Sequence, residues 1–247
     1  SIFEHLIILI KKKTNILVTL IINPKYERLR DYLVNIADHF EDTGRTLPMV
    51  NNGIRLLDVD GLTLCVKHYD RTSWRNRLAV RIYKASKGQH SYNCAAQLRE
   101  RGFATQEPVA YVAYRRNLMD QNMYFVGVFS NYRHSLHEAF GMPHSERAEL
   151  LESFARYAAR LHEEGFLPIA CRADNILFDR IDGRYRFSIL DTGNMKCGRK
   201  VSVEKGCKSL AALQADDAFN SALIRAYAAA RGADEAECQK YFERAKS

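Results

Sequence analysis

The sequence predicts an α+β protein of two lobes: a small antiparallel-sheet lobe over residues 21–130 and a mostly helical lobe over residues 131–247. Three observations carry this. Alternating apolar segments flank Asp60-Gly61, a strong short hairpin signal. Helical stripes then dominate the second half. One isolated strand–turn–strand, with Asp182-Gly183 at its tip, interrupts those helices.

With 247 residues, 47% hydrophobic and 27% charged, the chain can build a sizeable core. Its 13 Tyr and 12 Phe argue against disorder. A net charge of +8 suggests an anionic partner: nucleic acid, anionic lipid or a phosphorylated ligand. No nucleic-acid-binding motif or aromatic ladder accompanies the charge, so nucleic acid ranks last. The six cysteines form no C-x-x-C pair and fit neither a zinc site nor a disulfide framework; they read as reduced, mostly buried thiols of a cytosolic protein.

In chain order, Ile2 to Ile10 is apolar but too short to span a bilayer, and Lys11 to Lys13 interrupts it. Residues 1–20 read as an extension or a weak interfacial strip. Tyr26, Leu29, Leu33 and Ile36 form a helical stripe within 25–40. Ile54 to Val59 and Leu62 to Tyr69 are strands; in the second, Leu62, Leu64 and Val66 face one way and Thr63, Cys65 and Lys67 the other. Arg71 to Lys87 interleaves basic and apolar residues around Trp74, the one tryptophan, which suits an anionic membrane surface or a solvated face equally. A helix is expected over 86–101, stopped by Gly102, then paired strands over 109–114 and 123–129. After a connector over 130–143, Ser145 is expected to cap a helix to Glu163 with Leu150, Phe154, Ala158 and Leu161 on its core stripe. Helices follow over 210–230 and from Asp234 to Ala245.

The chemistry sits between Arg160 and Gly193. A loop delivers Asn175, and the second strand of the hairpin delivers Asp191 at the same end. An amide and a carboxylate so placed suit Mg²⁺ held mainly through phosphates and water, as in phosphoryl transfer. Read alone, Asn175 is a turn residue, Asp191 a strand-end cap and Lys67 an edge-strand lysine. Their order along the chain gives them weight.

Several segments together resemble the bacterial lipopolysaccharide (Kdo) kinase family, which has the protein-kinase-like fold. They are Asn23-Pro-Lys-Tyr26, Asp60-Gly-Leu-Thr-Leu-Cys-Val-Lys67, Ser86-Lys87, Thr105-Gln-Glu-Pro-Val-Ala-Tyr111, Arg160-Leu-His162, Asn175-Ile-Leu-Phe178, Ser188-Ile-Leu-Asp191 and Lys205-Gly-Cys-Lys208. The resemblance runs from about Ile21 to the end. It implies ATP-dependent phosphorylation of an inner-core sugar of lipopolysaccharide, with lipopolysaccharide core or a lipid A precursor as partner. It places the protein in the cytoplasm, peripheral on the inner face of the inner membrane of a Gram-negative bacterium. By it, Lys67 meets the ATP phosphates, and Asn175 and Asp191 hold Mg²⁺.

The catalytic loop departs from the family pattern H-x-D-x-x-x-x-N. Counted back from Asn175, the Asp position holds Ala170 and the His position Pro168. Alanine can neither orient a hydroxyl nor accept its proton. Asp174 adjoins Asn175 and is expected to point elsewhere, while Arg172 is a candidate to meet a phosphate. No Glu stands where a partner for Lys67 is expected; Ser91 and Tyr92 fall near that place, with Glu100 further on. Two function classes follow: an impaired kinase, or a pseudokinase that binds nucleotide or glycolipid without turnover.

Overall fold

The computed structural model describes residues 5–11, 16–46, 53–69, 77–117 and 120–246. The chain forms two compact units, one of residues 1–96 and 106–129, the other of residues 97–105 and 130–247.

In chain order the elements begin with β1 (His5–Lys11), β2 (Ile16–Ile22), α1 (Arg30–Val34), α2 (Ile36–Asp42), β3 (Arg45–Thr46), β4 (Ile54–Val59), β5 (Leu62–Tyr69) and α3 (Arg77–Glu100). Then come β6 (Ala104–Thr105), β7 (Glu107–Asn117), β8 (Asp120–Val128), β9 (His134–Ser135), α4 (His144–Glu163) and β10 (Phe166–Pro168). The chain closes with β11 (Ile176–Ile181), β12 (Arg184–Ile189), β13 (Met195–Cys197), α5 (Val203–Leu210), α6 (Asp217–Arg231) and α7 (Glu235–Lys246).

The first unit is built on an antiparallel seven-stranded sheet in the order β1-β2-β7-β8-β5-β4-β3. Strand alternation sends side chains to both faces. Leu64, Val66, Ala110, Val112 and Val126 join Tyr26, Leu29, Leu33, Ile36 and Phe40 in one core. Tyr111, Ala113, Met123 and Phe125 pack with Tyr92 and Ala95 of α3 in another. The β4–β5 hairpin turns at Asp60 and Gly61, both at positive φ (48° and 72°), the conformation for which Asp-Gly is suited. Lys67 lies on the face opposite Leu64 and Val66, as the alternation predicts, with its Nζ 5.6 Å from the ring centre of Tyr69.

Several sequence expectations need correction here. Residues 5–11 and 16–22, within and just beyond the stretch expected as an extension or weak interfacial strip, are strands β1 and β2 of the sheet, and β2 pairs with β7 from Leu17↔Arg115 to Ile22↔Ala110. The helix expected over 25–40 is a 3₁₀ turn followed by two short helices. They break at Asn35, which leaves helical geometry (φ −112°, ψ 21°) and donates from its side-chain amide to the Asp31 carbonyl. The helix expected from Ser86 begins at Arg77. Of the basic stretch Arg71–Lys87, residues 71–76, Trp74 among them, lie outside the described residues.

The second unit packs α4, α6 and α7 around Leu150, Phe154, Ala158, Phe219, Leu223, Tyr227 and Phe242. Helix α4 begins at His144, so Ser145 is inside it rather than its cap. Helix α7 is capped as its sequence predicts, with the Glu237 amide donating to Asp234 Oδ1 at 2.8 Å. A small sheet, β6-β12-β11-β9, stands on this core through Phe178 and Phe187. Cys65, Cys171, Cys207 and Cys238 are free and buried, as expected. Among the described residues, no helix is long and apolar enough to cross a membrane.

Candidate active site

The site in the second unit is built on the β11–β12 hairpin. Ile176, Phe178, Phe187 and Ile189 are buried, and the strands pair from Ile176↔Ile189 to Ile181↔Arg184. Asp182 and Gly183 turn the chain at positive φ (50° and 72°). Beyond the paired residues at the open end, the Leu190 amide donates to the Asn175 carbonyl at 2.9 Å. Asn175 closes a 3₁₀ turn of residues 173–175, and Asp191 opens another of residues 192–194. Both side chains are half-buried. Asn194 Nδ2 donates to Asp191 Oδ2, which fixes one carboxylate oxygen.

The preceding loop is anchored from both sides. Pro168 ends β10, which pairs with β13 through Pro168↔Met195, and the Ile169 amide donates to the Asn194 carbonyl at 2.9 Å. Ser209 of α5 donates from its hydroxyl to the Pro168 carbonyl at 2.5 Å and accepts the Cys171 amide at its own carbonyl at 3.2 Å. These bonds present residues 168–172 beside the hairpin end.

Pro168, Ala170, Arg172, Asn175, Asp191 and Asn194 therefore border one cavity of about 260 Å³. Asp191 is the only carboxylate among its lining residues and Arg172 the only guanidinium. Asp174 is absent from that lining; it is exposed and 3.8 Å from Arg172. The donor set fits Mg²⁺, since an amide oxygen and a carboxylate oxygen are hard ligands held at one end of a rigid hairpin. Lys67 stands on β5 of the other unit. Tyr69, whose ring centre is 5.6 Å from Lys67 Nζ, has its Oη 2.6 Å from the Oγ of buried Ser91.

Sequence reasoning missed the support behind this loop. His162, at the end of α4, is buried and its Nδ1 is 2.7 Å from Tyr227 Oη, which also accepts from Arg231 Nη1 at 2.7 Å. Burial first, and the Arg231 charge second, push the imidazole down to about 3, so it is neutral. The His162 carbonyl accepts the Val201 amide at 3.0 Å, tying the segment after β13 to α4. Gly206 of α5 packs directly on this pair; a Cβ there would lie 2.8 Å from His162 Nδ1 and closer still to Tyr227 Oη. The segments Arg160-Leu-His162 and Lys205-Gly-Cys-Lys208 were visible as text, but their mutual contact was not.

No family model and no curated protein sequence matches the chain. Solved structures do. WaaP in complex with acyl carrier protein is similar at TM-score 0.63 and 19% identity, over 91% of this chain and 96% of that one. A microcompartment-associated aminopropanol kinase is similar at TM-score 0.53 and 12% identity, over 86% of each chain. WbdD is similar at TM-score 0.50 and 15% identity over 81% of this chain; the match spans 44% of WbdD. At these identities the likeness is one of fold, and the fold is protein-kinase-like, as the sequence resemblance implied.

Proposed function

We propose that this protein is an ATP- and Mg²⁺-dependent phosphotransferase to an alcohol, impaired at the position of its general base. The observation that supports it best is the convergence of Asn175 and Asp191 on one cavity that Ala170 also borders. In this reading Asn175 and Asp191 hold the metal, which when bound neutralises charge on the transferring phosphoryl group. Lys67 meets the nucleotide phosphates. Arg172 meets an anionic oxygen at the cavity rim.

Ala170 supplies no proton acceptor for the attacking hydroxyl. Losing a general base costs about 10²–10⁴-fold. Positioning and charge stabilisation supply most of phosphoryl-transfer catalysis, so residual turnover is expected. The sequence resemblance further proposes an inner-core lipopolysaccharide sugar as acceptor and a peripheral position at the inner membrane. A second reading, a pseudokinase that binds nucleotide or glycolipid without turnover, is favoured by Ala170 together with Pro168.

ATP consumption by the purified protein with Mg²⁺ separates the two readings. Slow turnover that disappears in Asp191→Asn supports the enzyme. Mg·ATP binding without turnover supports the pseudokinase, and no Mg·ATP binding defeats both.

A further inference from the structure

A second cleft lies in the same unit, lined by none of the residues of the first. Helix α4 presents Glu149, Ser153 and Arg156 to the start of β12, and with Arg184, Tyr185 and Arg186 they enclose about 410 Å³. Arg184 and Arg186 alternate with Tyr185, which packs on the hydrophobic core, so their exposed guanidiniums leave the strand on one face.

The neighbouring carboxylates are already engaged. Glu149 meets Arg180 at 3.3 Å, and Glu152 meets Arg156 at 3.2 Å. Asp179, the cross-strand partner of Arg186, is gripped in bidentate fashion by Arg133 at 2.7 and 2.8 Å. Arg184 and Arg186 form no ion pair among the described residues. Three guanidiniums thus border one cleft, two of them without an ion pair among the described residues, and the Ser153 hydroxyl accepts from Arg156 Nη2 at 3.4 Å.

We propose that this cleft binds a phosphate-class dianion, a phosphomonoester or a pyrophosphate group. Guanidinium forks match phosphate oxygens in pairs, and a dianion with several acceptors engages more than one fork at once. The volume lies within the usual range for small-ligand sites, about 300–1,000 Å³. The anion can be free or displayed on a lipid headgroup.

Isothermal titration calorimetry of the full chain with pyrophosphate, without Mg²⁺, tests the free form. Co-sedimentation with vesicles of phosphatidic acid in phosphatidylcholine tests the lipid form. In whichever arm binds, Arg184→Ala with Arg186→Ala should weaken affinity at least about tenfold, the size expected for losing charge-assisted bonds. Glu149→Gln, which removes a repelling carboxylate and frees Arg180, should tighten it. That variant keeps the test valid if the double variant folds poorly. Arg172→Ala, which removes the guanidinium lining the other cavity, should bind as wild type does. The proposal is overturned by no binding in either arm, by unchanged affinity in a folded double variant, by no gain in Glu149→Gln, or by loss in Arg172→Ala, which would assign the anion to the other cavity.

Discussion

The amide of Leu190 donates to the carbonyl of Asn175 at 2.9 Å, one step beyond the last paired residues of the β11–β12 hairpin. This bond carries the hairpin's register into the site. It sets Asn175 beside the residue that precedes Asp191, so both oxygen-bearing side chains reach the cavity from one rigid end. A metal clamp needs such a shared frame.

If Ala170 marks a missing base, Ala170→Asp should restore one. The position is exposed and borders the cavity, so a carboxylate fits without displacing core. Turnover of ATP with acceptor is expected to rise about 10²–10⁴-fold, with nucleotide affinity little changed. Single-turnover phosphate transfer measures it; no rise in a folded variant that still binds Mg·ATP would argue against the assignment of Ala170.

The buried His162 makes stability depend on pH. Its folded value of about 3 lies below the ordinary 6.5. As pH falls below 6.5 the unfolded chain takes up a proton that the native state refuses, so stability drops progressively toward pH 3 and is flat above 6.5. By pH 5 the loss is on the order of 2 kcal/mol. Glu138 and Asp179, whose carboxyls are held below their ordinary values by their hydrogen bonds, lose their contribution at lower pH. Urea midpoints at pH 7 and pH 5 should differ in the wild type and converge in His162→Gln.

Gly206→Ala should destabilise the second unit. The added methyl overlaps Tyr227 Oη and lies 2.8 Å from His162 Nδ1, and both groups are buried. Overpacking of this kind costs about 1–3 kcal/mol. The thermal midpoint should fall by several degrees; an unchanged midpoint would show that Tyr227 moves freely.

Both hairpins were legible in the sequence because Asp60-Gly61 and Asp182-Gly183 are local signals for positive φ. The Asn175 and Asp191 placement followed from the second of them. The first two strands were not legible. Their apolar run lacks a strong turn signal, and β2 finds its partner β7 far away in sequence, at Ile21↔Tyr111. The start of α3 was missed because basic and apolar residues interleave from Arg71 onward, a pattern that also suits a membrane surface. Ser209 and Tyr227 were invisible as supports, since their roles depend on contacts with Pro168 and His162 that no spacing encodes.

The central claim is that Asp191 and Asn175 hold Mg²⁺ for a nucleotide. Thermal unfolding of wild type and Asp191→Asn, each with ATP in the presence and absence of Mg²⁺, tests it most directly. A ligand that binds only the native state raises the midpoint in proportion to its occupancy. A Mg²⁺-dependent rise with ATP is expected in the wild type and its loss in Asp191→Asn. No rise in the wild type, or an equal rise in both proteins, would contradict the account.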